Sequence, residues 1–160
     1  MSLAIVAIGA KSTSGYRGSM SSIAVCPSCG TKNRVPVTSS GRPQCASCHQ
    51  PLPWLVEAGD ADLDAALNTD HLVLIDLWAP WCGPCKMVAP VLQRLSVRYA
   101  GKVKIVKVNV DHNPRSSARF DAQSIPTLVM TRHGAVVDRI VGAQGEAALA
   151  ARIEPLLVTR

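Results

Sequence analysis

Six cysteines in three C-x-x-C pairs dominate the chemistry that this sequence could perform. The pairs are Cys26/Cys29, Cys45/Cys48 and Cys82/Cys85, and they use every cysteine of the 160-residue chain. Thiols paired at this spacing suit metal binding or redox chemistry better than a framework of structural disulfides. The residues around the third pair differ from those around the first two, so we expect different chemistry from them.

The third pair stands at a predicted junction between a buried strand and a helix. Residues 72–78 form a nearly continuous apolar run of strand length, and helical spacing follows from Pro84 onward. At the start of a helix, unpaired backbone N–H groups and the helix dipole stabilise negative charge. Because the thiolate is the nucleophile, we expect Cys82 to attack a substrate disulfide and Cys85 to resolve the mixed disulfide.

The residues around this pair resemble the thioredoxin family. The resemblance covers residues 53–160 and rests on Asp-Leu-Trp-Ala-Pro-Trp-Cys-Gly-Pro-Cys-Lys at 76–86, followed by Pro90, Lys107, Asp111, Ile125-Pro126-Thr127 and Gly142. It implies a thioredoxin fold and a protein-disulfide reductase. The Gly83-Pro84 dipeptide agrees with a reductase, since oxidising relatives usually carry a histidine there. Leu77 and Pro80 depart from the commonest family pattern.

The resemblance also implies roles for residues away from the pair. Asp76 would be a buried general base for Cys85, with Lys107 modulating its charge, although an Asp76 that faces solvent is the alternative. Pro126 would follow a cis peptide bond, and the backbone of Ile125 would pair with an extended substrate. The rest of a shallow substrate-binding surface would come from Trp81, Gly83, Pro84 and Gly142.

The first two pairs have the spacing of a zinc ribbon. Fifteen residues separate Cys29 from Cys45, and four thiolates can enclose one Zn²⁺ tetrahedrally, which predicts a structural site at Cys26, Cys29, Cys45 and Cys48. Two alternatives remain. The string Cys-Ala-Ser-Cys-His at 45–49 also fits c-type haem attachment, and the four thiols could release zinc on oxidation. No bound organic cofactor is expected.

The predicted elements form an α/β fold with a mixed central sheet flanked by helices, preceded by a small zinc ribbon. We expect a disordered extension over 1–22, the ribbon over 23–52 and the thioredoxin domain over 53–160. A ribbon in front of this domain resembles the bacterial thioredoxin 2 group. Strands are predicted at 54–56, 72–78, 103–110, 127–131 and 136–141, and helices at 60–68, 84–99, 114–120 and 144–158.

The formal charge of +6 lies mostly at the front of the chain. Five basic residues precede Glu57, the first acidic residue. This raises the alternative of a zinc-ribbon adaptor for nucleic acid or protein, but Tyr16 is the one aromatic among these spread charges, so nucleic acid is not the expected partner. The resemblance implies disulfide-containing protein substrates and an NADPH-dependent thioredoxin reductase as partners. We expect a monomer.

The N-terminal residues 3–10 resemble the core of a signal peptide. No basic residue precedes them and no clear cleavage site follows, and the run is too short to span a membrane. We therefore predict a cytoplasmic protein without a membrane partner. These residues are then a disordered extension or an over-long start, with Met20 as the candidate initiator, and a cleaved signal peptide is the alternative.

Overall fold

The computed structural model describes residues 21–39 and 41–158. The predicted extension over 1–22 lies outside the described residues except for its last two, and Ser22 already begins the first strand. Within the described part, no helix is both long and apolar enough to cross a membrane.

Two sheets and four helices make up the described chain. The strands are β1 Ser22–Val25, β2 Lys32–Val35, β3 Trp54–Glu57, β4 Leu72–Trp78, β5 Val103–Asn109, β6 Thr127–Arg132 and β7 Ala135–Val141. The helices are α1 Leu63–Leu67, α2 Gly83–Arg98, α3 Pro114–Arg119 and α4 Glu146–Val158. Strands β1 and β2 form an antiparallel hairpin, and the others form one sheet in the order β3-β5-β4-β6-β7.

The larger sheet is mixed, which confirms the predicted fold class. Strands β3 and β4 run parallel to the β5 strand between them, whereas β6 and β7 are antiparallel to their neighbours. Parallel neighbours place their carboxyl ends at one edge of the sheet. The loops that follow β3, β4 and β5 therefore meet at that edge, where Cys82 follows β4.

Helix α1 is shorter than predicted, beginning at Leu63 rather than at residue 60. The carboxylate of Asp60 accepts hydrogen bonds from the backbone N–H groups of Arg115, at 3.1 Å, and Ser116, at 2.7 Å, in the first turn of α3. This long-range contact holds Asp60 in the loop before α1. An acidic residue that periodicity assigns to one helix thus caps another.

Alternation along β4 divides the core into two layers. Val73, Ile75 and Leu77 pack in the layer that contains α1, α3 and the ribbon. Leu72 and Leu74 pack in the layer that contains α2 and α4. Because side chains alternate across a strand, Asp76 points into the α2 layer, where a continuous apolar run would otherwise place a hydrophobic residue.

Two buried donors attach the ribbon to the main sheet. The indole Nε1 of Trp54 donates to the carbonyl of Pro36 at 2.9 Å. The ammonium of Lys104 is fully buried and donates to the carbonyls of Val37, at 2.5 Å, and Ala66, at 2.6 Å. It also lies 4.5 Å from the centroid of the Trp54 ring, a cation–π distance. The segment after β2 is therefore held against β5 and α1.

Replacing Lys104 with alanine tests this attachment. Lys104→Ala leaves two buried carbonyls without their donor and opens a cavity, so we expect the free energy of unfolding to fall by about 3 kcal/mol. Urea denaturation of the oxidised chain measures the change. The exposed Lys102 two residues away gives the control, because Lys102→Ala should change stability by less than about 0.5 kcal/mol. Equal losses of stability in the two variants would show that Lys104 does not attach the ribbon to the main sheet.

Candidate functional site

Cys82 occupies the N-cap of α2, directly after the loop that follows β4. Its sulfur accepts a hydrogen bond from the backbone N–H of Cys85 at 3.1 Å. Pro84 sits in the first turn, where a missing N–H costs no helical bond. The two cysteines form a disulfide with their Cα atoms 5.3 Å apart. The junction thus places one sulfur at the positive end of the helix.

The sulfur of Cys82 faces the loop before β6. It lies 3.7 Å from the carbonyl oxygen of Ile125, and the Ile125–Pro126 peptide bond is cis, as the resemblance implies. In the disulfide state Cys82 and Cys85 are each 4% exposed, so exposure alone does not distinguish their roles. Their neighbours do distinguish them, because Cys82 faces Ile125 and Cys85 lines a cavity that also contains Asp76.

Asp76 is buried, and the alternative in which it faces solvent is wrong. Its side chain is 1% exposed, and its Oδ1 atom has no hydrogen-bond partner among the described residues. Burial raises the pKa of Asp76 to about 6, against an opposing effect from the positive charge of Lys107. Lys107 is the register partner of Asp76 on β5. Asp76 can therefore exchange a proton near neutral pH.

A cavity of about 240 Å³ connects Asp76 with Cys85. Trp78 also lines it, and the buried Nε1 of that indole lacks a partner in the described part of the chain. The ammonium of Lys107 forms another part of the wall and lies 4.4 Å from the centroid of the Trp78 ring. The cavity is mostly apolar, but it is wide enough for water and contains polar groups of Asp76, Trp78 and Lys107 that could bind one.

Trp81 and Gly142 lie on the surface around the disulfide. Trp81 is 69% exposed, and its Nε1 donates to both carboxylate oxygens of Asp111 at 3.1 Å. Gly142 has φ +93° and donates its N–H to the carbonyl of Pro126 at 2.8 Å. No role for Asp111 was predicted from the sequence. Its position just beyond β5, at the edge where parallel strands end, was the signal that could have identified it.

The four remaining cysteines converge on one point. The sulfurs of Cys26, Cys29, Cys45 and Cys48 all lie within 4.8 Å of one another. Two of these separations, Cys26 to Cys48 and Cys29 to Cys45, are 3.5 Å. A tetrahedral Zn²⁺ with Zn–S bonds of about 2.3 Å requires sulfurs about 3.8 Å apart, so the donor set fits such an ion.

The two cysteine turns share one backbone pattern. Gly30 and His49 each follow a pair, each donates its N–H to the carbonyl of the first cysteine at 2.9 Å, and each has positive φ, +74° and +60°. Asn33, which the sequence analysis did not identify, donates to the Cys45 sulfur at 3.6 Å and accepts from Ala46 N–H at 2.9 Å. His49 thus completes a turn, and this role favours a metal site over haem attachment.

Neighbouring thiols in the cluster also shift one another's pKa values. The backbone N–H of Cys48 lowers the pKa of the Cys45 thiol to about 6. For Cys48, a backbone hydrogen bond from Gln50 lowers the pKa but is outweighed by burial and by the sulfurs of Cys29, Cys26 and Cys45, which raise it to about 12. Crowded thiols therefore resist full ionisation until a divalent cation offsets their charge.

Comparison with known proteins places this site in a family. The thioredoxin family model matches residues 43–155. A thioredoxin of Haemophilus influenzae is 50% identical over 97 residues, which are 60% of this chain and 91% of the relative. One from Synechocystis is 48% identical over 91 residues (57% and 85%), and one from Staphylococcus aureus strain N315 is 46% identical over 96 residues (60% and 91%).

Replacing Asp76 with asparagine tests the proton assignment. A carboxyl whose pKa is about 6 when folded and about 3.8 when unfolded binds more protons when folded, so stability falls as pH rises through that window. We therefore expect Asp76→Asn to stabilise the oxidised chain at pH 8 by about 3 kcal/mol, and to change little at pH 3, where the aspartate is neutral in both states. Urea denaturation at both pH values measures this.

The exposed acidic residue Asp70 gives the matched control. Asp70→Asn removes the same charge from the loop before β4, and we expect no comparable gain at pH 8. Equal free energies of unfolding for Asp76→Asn and the parent at both pH values would contradict a raised pKa at Asp76.

Proposed function

This chain belongs to the thioredoxin family and is a protein-disulfide reductase, and we propose that Cys82 attacks the substrate while Cys85 resolves the intermediate. The N-cap position of Cys82 is the observation that carries this assignment. Backbone N–H groups and the helix dipole stabilise a thiolate there, and thiolate is the attacking form of cysteine.

The first step transfers one bond between sulfurs. The Cys82 thiolate attacks one sulfur of the substrate disulfide, a new bond joins Cys82 to that sulfur, and the other substrate sulfur leaves as a thiolate. The reduction of the substrate is not yet complete, because one of its two sulfurs remains bonded to Cys82 in a mixed disulfide.

In the second step the Cys85 thiolate attacks the Cys82 sulfur. The mixed disulfide breaks, the Cys82–Cys85 disulfide forms and the second substrate sulfur leaves as a thiolate. The substrate has gained two electrons and the enzyme pair has lost two. The Asp76 carboxylate accepts the Cys85 proton through their shared cavity and becomes a neutral carboxyl, and the charge of Lys107 stabilises that carboxylate before the proton arrives.

The surface around Cys82 suits many protein substrates. We expect the substrate to contact Trp81, Gly83 and Pro84 around the disulfide, together with Ile125, Pro126 and Gly142. An extended substrate segment would bond to the backbone at Ile125, and backbone bonding tolerates different side chains. The Cys82–Cys85 disulfide is then reduced again by an NADPH-dependent thioredoxin reductase, as is general for the family.

The ribbon would hold one structural Zn²⁺ through Cys26, Cys29, Cys45 and Cys48. Four protein thiolates leave no open coordination position, so the metal would supply cross-linking of two turns rather than a catalytic step. Four free thiols used in this way suit a reducing compartment, which supports a cytoplasmic location. The resemblance to the bacterial thioredoxin 2 group agrees with this arrangement.

Two cysteine variants separate the attacking role from the resolving role. Insulin reduction with dithiothreitol should fall to the enzyme-free rate in Cys82→Ser, because no nucleophile remains at the N-cap. Cys85→Ser should instead accumulate a mixed disulfide between Cys82 and the substrate, seen by intact mass spectrometry. Full insulin reduction by Cys82→Ser, or an adduct on Cys85, would overturn the assignment.

The zinc assignment is tested by metal content. Cys45→Ser removes one thiolate and should lower bound zinc from one equivalent to nearly none, measured by native mass spectrometry. His49→Gly should keep its zinc, because a φ of +60° suits glycine and the imidazole is not a ligand. A parent chain that carries the mass of a haem, and a His49→Gly variant that lacks it, would instead establish haem attachment.

A further inference from the structure

A groove of about 500 Å³ lies between the ribbon hairpin and the main sheet, within the size range of ligand pockets. All four residues of β1 line it, as do Leu55, Val56 and Glu57 of β3 and Val97 of α2. Because neighbouring residues of one strand point to opposite faces, a groove that touches them all follows the edge of that strand.

Both strands offer free backbone groups along this groove. Within residues 21–39 and 41–158, β1 pairs only with β2, and β3 pairs only with β5. The unpaired edge of a strand presents N–H and C=O groups that can bind an extended chain. The groove therefore suits a peptide segment in an extended conformation better than a compact small molecule.

The outer face of the hairpin combines apolar and positive side chains. Ile23 and Val25 are 61% and 54% exposed, and both line the groove. Directly opposite them in register are Arg34 and Lys32, which are also exposed. Opposed residues of an antiparallel pair share one face, with Cβ atoms about 5 Å apart. A ligand on this face would meet large aliphatic groups beside cations.

The charge balance around the groove selects an acidic ligand. Glu57 and Lys107 are register partners of opposite charge, and both line the groove. The described ribbon, residues 21–39 and 41–52, carries Lys32, Arg34 and Arg42 and contains no acidic residue. Electrostatic complementarity therefore calls for negative charge on the partner. Exposed aliphatics without aromatic stacking platforms favour an acidic peptide over single-stranded nucleic acid.

The groove is also within reach of a substrate held at Cys82. Gln93 of α2 lines it, eleven residues beyond Cys82 along the helix. At 1.5 Å per residue this separation is about 16 Å, which about five residues of extended chain can span. A protein held by its disulfide at Cys82 could place a neighbouring segment in the groove.

We propose that this groove is a second docking site for the protein substrate, and that it binds an extended segment of alternating apolar and acidic residues. The proposal rests on the proposed disulfide-reductase function. It assigns the ribbon hairpin a part in choosing substrates, since β1 supplies one edge with the exposed Ile23 and Val25, and β2 supplies the cations on the same face.

Two synthetic disulfide peptides test the docking site on the unaltered full-length chain. Both carry the same two-cysteine loop and five-residue linker, followed by a tail that alternates valine with glutamate in one and valine with lysine in the other. With thioredoxin reductase and NADPH at low salt, we expect the glutamate tail to lower KM about tenfold relative to the lysine tail, with kcat unchanged.

Matched variants locate the effect. Lys32→Glu/Arg34→Glu should abolish or reverse the preference, and Ile23→Ser/Val25→Ser should weaken it. Val136→Ser/Val137→Ser, which alters exposed valines on the opposite edge strand, and Lys102→Glu should both keep it. If every variant reduces insulin at the parental rate, the catalytic site is intact in all of them. If the parent itself does not reduce insulin, the result counts against the reductase function rather than against the docking site.

Three results would overturn the proposal. Equal KM values for the two tails in a chain that reduces insulin would show that the groove does not bind acidic segments. A short single-stranded oligonucleotide that binds the hairpin more tightly than the glutamate-tailed peptide would assign the cations to nucleic acid. A preference that appears only in a chain starting at Met20 would assign the groove to residues 1–19 of this chain.

Discussion

The site depends on the turn from a buried parallel strand into a helix. Strand β4 is covered on both faces, so its carboxyl end must emerge at the edge of the sheet, and α2 begins within five residues of that end. Cys82 caps the helix because it stands between the two elements. Its sulfur therefore accepts a hydrogen bond from the Cys85 N–H and also faces the Ile125 carbonyl.

The same strand explains why catalysis and stability oppose each other at Asp76. A carboxyl in the layer between β4 and α2 is desolvated, and its ionised form destabilises the fold. That penalty makes the carboxyl a proton acceptor with a pKa near 6, beside the cavity that Cys85 lines. An apolar residue would pack better there but could not take a proton from Cys85, the role that we propose for Asp76.

Local sequence predicted much of this structure. The apolar run of β4, the cysteine spacing and the string from Asp76 to Lys86 were enough for the fold class, the Cys82–Cys85 pair and the cluster of four cysteines. Contacts between distant segments were not predictable in the same way. Asp60 caps α3 instead of starting α1, Asp111 orients Trp81, and Lys104 binds carbonyls of two other segments. Periodicity and spacing carry no information about such partners, because each depends on how the layers pack.

Alkylation of the fully reduced chain at pH 7 tests the central claim most directly. Brief treatment with iodoacetamide, followed by peptide mass mapping, reports which sulfur of the pair is present as an accessible thiolate. If the helix N-cap activates Cys82, that residue is modified first and Cys85 remains largely unmodified. Equal modification of the two residues, or faster modification of Cys85, would contradict the account.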